Sequence, residues 1–272
     1  MKKIIAMLLV LTMALSLVAC GGEKAPETQA PTDAPATESP ATEAPATEAP
    51  ATEAPAAVMT HAEFDAAELE TAVTVETYVQ TIESWWDGAC HIYAQSEDGG
   101  YYIYGYACTE EEAAALVPGT KILVNGYKTA WSGEVEIVDA TIEVLEGSYI
   151  VTEAADATAL LGTDELAGLM NSLVAFKGLT VAPSTDANGN EAAFLYKWDG
   201  SGSQGDDLYF NVTDGTNVYT FTVNVYMQGT GVDSDAYKAI EALEIGDVID
   251  VTGFLYWYEG PQPHVTAVTV AE

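Results

Sequence analysis

Apolar and polar residues alternate through much of the chain after residue 70. Leu208, Phe210 and Val212 alternate with Asp207, Tyr209 and Asn211. After Asp214-Gly215, Tyr219, Phe221, Val223 and Val225 alternate with Thr220, Thr222 and Asn224. Successive strand residues point to opposite faces, so each run is a strand with one buried face. An Asp-Gly pair between two such runs is a hairpin signal. The same pattern stands 116 residues earlier, around Asp98-Gly99. Mapped back by that offset, Ile92, Ala94, Ile103, Gly105 and Ala107 form the core face. His91, Tyr93, Gln95, Tyr102, Tyr104 and Tyr106 form the outer face.

The likeness between the halves extends further. "ALVPGTKILVNGYKTAWSG" (115–133) aligns without a gap to "ALEIGDVIDVTGFLYWYEG" (242–260), and "TYVQTIES" (77–84) to "AFKGLTVA" (175–182). Each unit reads as three strands, a short helix, and two more strands. In the first unit Thr109 caps the helix and Glu112 completes a capping box; in the second, Asp233 or Ser234 starts a helix that runs to about Leu243. Thr60 and Glu63 repeat the capping signature ahead of the first unit, and the apolar spacing within 148–172 predicts short helices packed on a barrel. That element order is the order of an OB-fold, a five-stranded Greek-key barrel. The predicted class is mainly β: two tandem OB-fold-like barrels with short helices, after a disordered Pro-rich linker. The predicted domains are 58–147 and 173–272, joined by a helical connector over 148–172.

The stretches "YVQTIESWWDG", "VAFKGLTV" and "GFLYWYEGPQPHVTAVTV", with the long run from "EEEAAALVPG" to "VDATIEV", resemble the secreted tandem OB-fold lipoproteins of Gram-positive anaerobic bacteria. The resemblance covers 70–272 and implies the fold. It implies no definite activity.

A two-residue turn at Asp98-Gly99 pairs Tyr93 with Tyr104, Gln95 with Tyr102 and His91 with Tyr106. It also places Cys90 with the core set and Cys108 on the outer face, which disfavours a disulfide between them, whereas a one-residue change in the loop would set them opposite each other. The outer faces of strands 2 and 3 are a common ligand platform in OB-folds. Trp85, Trp86 and Trp198 fall in strand 1–2 loops, and Trp131 and Trp257 in strand 4–5 loops, which frame that platform. The predicted site is therefore Trp85, Trp86, Tyr93, Tyr102, Tyr104, Tyr106, Trp131, Tyr256, Trp257 and Tyr258. The competing reading is structural: the tryptophans cap barrel ends and the tyrosines are covered by the second unit.

The N-terminus changes the expected setting. Lys2 and Lys3, an apolar run from Ile4 to Leu17, and Leu17-Val18-Ala19-Cys20 read as a lipoprotein signal over 1–19 with Cys20 lipidated. Residues 20–57 carry a Pro- and Thr-rich ATEAP repeat that cannot bury a core. The expected place is the extracellular face of a bacterial cytoplasmic membrane, held only by the N-terminal lipid. The whole chain has 8 Lys+Arg against 42 Asp+Glu; removing the 3 bases and 7 acids of residues 1–57 leaves 5 against 35, all five bases being lysine. Nucleic-acid binders neutralise phosphate with Lys and Arg, so no nucleic-acid partner is expected.

No nucleophile–base spacing picks out catalytic residues, and no cofactor or metal is expected. Asp186, Asn188 and Asn190 begin like an EF-hand loop, but Glu191 and Lys197 stand where the glycine and the bidentate Glu belong. The composite expectation is a non-enzymatic, lipid-anchored protein that recognises an extracellular glycan or cell-wall polymer through aromatic loops. An adaptor for a surface protein partner is the alternative, and a hydrolase the least favoured class.

Overall fold

The computed structural model describes residues 57–271. The export signal, Cys20 and most of the repeat linker lie outside the described residues. Among the described residues no helix is long and apolar enough to cross a membrane.

A short helix α1 (His61–Ala66) leads in, with Thr60 and Glu63 forming the expected capping box. Five strands follow: β1 (Ala72–Ile82), β2 (Ala89–Ser96), β3 (Gly99–Ala107), β4 (Thr120–Trp131) and β5 (Glu134–Ser148). They close into a barrel in the order β1-β2-β3-β5-β4. Helix α2 (Glu110–Ala115), capped by Thr109 and Glu112, crosses between β3 and β4. This is OB-fold-like order. Val75, Val79, Ile92, Ile103, Val124 and Ile137 fill the interior without exposed surface. Phe64 of α1 packs on Tyr101, with ring centroids 5.1 Å apart, and so plugs one end.

The second half builds a separate sheet from β6 (Leu173–Ala182), β7 (Leu208–Thr213), β8 (Val218–Val223), β9 (Val248–Phe254) and β10 (His264–Val270), with helix α3 (Asp235–Glu241) capped by Ser234. Its order is β7-β8-β10-β9-β6, extended at its two edges by Leu195–Tyr196 and Ala155–Asp156; β7 also pairs with β6 at Asn211–Ala182, Val212–Val181 and Thr213–Thr180. Phe176, Phe210 and Phe221 sit in its own core. The connector folds as two 3-10 turns, Thr158–Leu160 and Asp164–Leu169, and buries Leu161 and Leu166 in that second core.

The β2–β3 register corrects the expectation. Ser96 pairs with Gly99, so the turn is Glu97-Asp98, and Tyr93 faces Tyr102 rather than Tyr104. The shift is by two residues in the sum, which preserves the faces. An irregularity between Cys90 and Ile92 then changes them: Gly105, at φ +63, donates its N–H to His91 Nδ1 at 3.0 Å. Beyond this bulge Tyr106 pairs with Cys90 and packs against the barrel core, while Ala107 is exposed. The bulge also brings Cys90 Sγ and Cys108 Sγ to 3.7 Å, against the expected separation.

Oxidised glutathione is therefore expected to join Cys90 to Cys108. Peptide mapping of the full chain checks it, with Cys108→Ser as the control that loses the cross-link. Burial pushes the Cys90 thiol up to about 12 and raises Cys108 also, so the reaction should quicken with rising pH.

Candidate functional site

The barrel's tyrosine face is largely spent on packing. Tyr93 and Tyr102, with Met227 and Phe254, form a third apolar cluster that joins the barrel to the second sheet. Tyr93 is 0 % exposed; its ring stacks on Phe254 at 4.8 Å, and its hydroxyl hydrogen-bonds His264 Nδ1 at 2.9 Å. A buried phenol needs such a partner. Burial pushes the His264 imidazole down to about 3, so it stays neutral. Around this cluster, Leu173 N donates to Gln95 Oε1 at 2.8 Å, Gln228 N to Ile82 O at 2.8 Å, and Glu259 N to Ser132 O at 2.7 Å.

Beside this seam a cavity of about 470 Å³ opens between the two sheets. Tyr102, Tyr104 and His91 form one wall; Tyr209, Tyr256 and His264 form the other, with Trp131, Tyr258 and Trp198 at the lip. The walls are laid with rings. Tyr256 stacks on His264 at 4.5 Å, His91 meets Tyr104 at 4.5 Å, and Trp131 meets Tyr258 at 5.3 Å. Tyr104, Trp131 and Trp198 are 50 %, 55 % and 69 % exposed.

Two carboxylates face the same cavity. Glu83 Oε1 accepts from the Tyr102 hydroxyl at 3.0 Å, and Asp207 Oδ1 accepts from Val225 N at 2.9 Å. Burial raises the Glu83 carboxyl, opposed by His91 and the Tyr102 hydrogen bond; the Asp207 charge adds to the rise. Burial likewise raises Asp207.

Several predicted site residues go elsewhere. Trp85 caps the barrel end, its Nε1 donating to Cys108 O at 2.8 Å, and Trp86 stands in solvent away from the cavity. Tyr106 is turned to the core by the bulge, and Trp257 packs over Gly133 and against the second core. Tyr93 is sealed in the seam, so it presents no surface to a ligand. Tyr102, Tyr104, Trp131, Tyr256 and Tyr258 are brought together. Glu83, His91, Asp207, Tyr209 and His264 were missed as site residues. The alternation had put Tyr209 and Asp207 on the outer face of β7 and its lead-in, which was the available signal.

Under the seam lies a second acidic group. Glu134 is 0 % exposed; its Oε2 accepts from Trp257 N at 2.7 Å and its Oε1 has no protein partner. Burial pushes this carboxyl up to about 8, partly opposed by the Trp257 amide and Asn171. Burial alone pushes Glu136 up to about 7. The other titratable groups acting on Glu134 and Tyr256 here are carboxylates and the Tyr104 phenol, with no ammonium among them.

No family model matches the chain, and no curated protein does. Solved structures match over most of the chain at low similarity. A murine DNA-binding protein bound with double-stranded DNA is 13 % identical, with 73 % of this chain and 95 % of that chain covered and a TM-score of 0.33. The Ifi202 HINa domain in complex with a 20 bp duplex is 12 % identical, covering 75 % and 96 %, at 0.31. The p204 HINb domain is 11 % identical, covering 72 % and 95 %, at 0.30. Two of these proteins are bound to double-stranded DNA, the partner class that charge had set aside. These neighbours stand against the expectation of a glycan ligand with no nucleic-acid partner, which is not carried further; they do not bear on the lipid anchor, which lies outside the described residues. At TM-scores this low the likeness assigns no ligand to this chain.

Two outcomes follow from the seam. Tyr93→Ala is expected to cost about 3–5 kcal/mol in denaturant melts, and Tyr104→Ala to stay within about 0.5 kcal/mol, because only the first ring is buried. Glu134 and Glu136 hold their protons more tightly folded than unfolded. Their stabilisation is complete below the unfolded value of 4.5 and is lost as pH rises through about 7 and about 8. The slope is roughly 1.4 kcal/mol per pH unit per group within that window. Melting temperature should therefore fall between about pH 5 and about pH 9, and Glu134→Gln should flatten the upper part of the curve.

Proposed function

We propose that the chain is a non-enzymatic ligand-binding module made of two OB-fold-like barrels, over 58–147 and 173–272, joined by the 148–172 connector. The β6–β7 pairing supports the second barrel, since it links the two ends of the five-strand order. The module holds a small molecule in the cavity between the barrels. One observation carries this reading: both halves contribute exposed rings to one ring-lined cavity, whose size is that of small-ligand pockets. One nitrogen of each imidazole is tied to the scaffold: His91 Nδ1 accepts from Gly105 N, and His264 Nδ1 pairs with the Tyr93 hydroxyl.

A ligand-observed NMR screen of a fragment library against the full chain tests the reading, with Tyr104→Ala and Trp198→Ala as variants. The expected result is a set of hits that weaken at least tenfold in both variants. A short DNA duplex is run beside the library. Saturable duplex binding that is indifferent to both substitutions, with no cavity-dependent fragment, would sink the proposal in favour of a nucleic-acid surface.

A further inference from the structure

Among the described residues no ammonium or guanidinium reaches the two carboxylates of the cavity, and His91 is the one basic side chain whose charge acts on Glu83. Glu83 and Asp207 both line the cavity, the Asp207 charge disfavours ionisation of Glu83, and both sit in ring-lined, partly dry surroundings. No lysine lines the cavity, and the chain has no arginine among its 272 residues. Every lysine among the described residues is engaged elsewhere. Lys121 pairs with Glu76 at 2.7 Å, Lys177 with Asp156 at 2.9 Å, and Lys197 with Asp199 at 3.9 Å. Lys128 is buried and donates to the carbonyls of Phe64, Asp65 and Ala67, each at 2.9 Å; Lys238 donates to Asp233 O at 2.6 Å.

A second, independent feature lies at the same place. Thr222 lines the cavity, is 2 % exposed, and its Oγ1 has no partner among the protein groups. Buried hydroxyls are rarely left so. A ligand with a polar hydrogen or a hydroxyl would complete it.

Aromatic faces carry a negative quadrupole and attract cations most strongly where water is thin. Carboxylates in dry surroundings gain most from an opposite charge. The two effects coincide here, so we infer that the ligand of this cavity is a small organic cation of the alkylammonium class. The charged head lies between Glu83 and Asp207 against the Tyr102, Tyr104 and Tyr256 rings, and a polar end meets Thr222. The inference rests on the proposed ligand-binding role and names its chemistry.

Matched pairs separate the two claims. Choline is compared with 3,3-dimethylbutan-1-ol, which keeps the shape and loses the charge; n-butylammonium is compared with butan-1-ol. Binding to the full chain is read by tryptophan fluorescence and calorimetry. At least one cation should bind ten times more tightly than its neutral partner. Glu83→Gln and Asp207→Asn should each weaken that cation at least tenfold and leave the neutral partner unchanged. Both substitutions keep the acceptor oxygens that Tyr102 and Val225 use, so the fold is retained. If neither cation exceeds its neutral partner tenfold, the cation is overturned, while cavity-dependent fragments would leave the ligand-binding role standing. If these probes and the fragment library are all silent, both claims fall.

Discussion

The join between the barrel and the second sheet rests on the sealing of Tyr93 against Phe254 and His264. A phenol ring with no exposed surface demands both apolar contact and a hydrogen-bond partner, and the second sheet supplies the two from adjacent strands. His264 answers by staying neutral, which burial enforces. With that seam made, the outward faces of β2–β3 and β7–β8 flank one cavity. Tyr256 stacked on His264 then continues the seam into the cavity wall.

Burial of carboxyls is used twice, with different outcomes. Glu134 is fully enclosed, given one amide donor, and pushed toward neutrality, so it acts as a polar filler of the seam. Glu83 and Asp207 lie at the cavity, each with one hydrogen-bond donor. Desolvation raises both, and both stand where a ligand can meet them. The same physics makes one group structural and the other pair receptive. The difference lies in access to the cavity.

Much of the local architecture was legible along the chain. Period-two alternation located the strands of both halves, because each strand has one dry face. The caps at Thr60, Thr109 and Ser234 were legible because capping is a contact between residues three apart. The β2–β3 register was not. It depends on the Glu97-Asp98 turn and on the bulge at His91 and Gly105, and a bulge is a choice made by a whole barrel closing. The reading of Tyr106 and the expected separation of Cys90 from Cys108 failed for that one reason, while Cys90 lies in the barrel core as read.

The aromatic site was half legible. Alternation and loop position pointed to Tyr102, Tyr104, Trp131, Tyr256 and Tyr258, which share the cavity. They pointed equally to Trp85, Trp86, Tyr93 and Trp257, which do not. A strand pattern says which side chains face away from their own core, and cannot say what lies opposite them. The amino-acid order determined two strand-rich halves, their caps and their outward rings, all set by contacts within or between neighbouring segments. Only the tertiary structure decided which rings became seam and which became cavity wall, because that depends on the packing of residues around 93 against residues around 254 and 264, far apart in the chain.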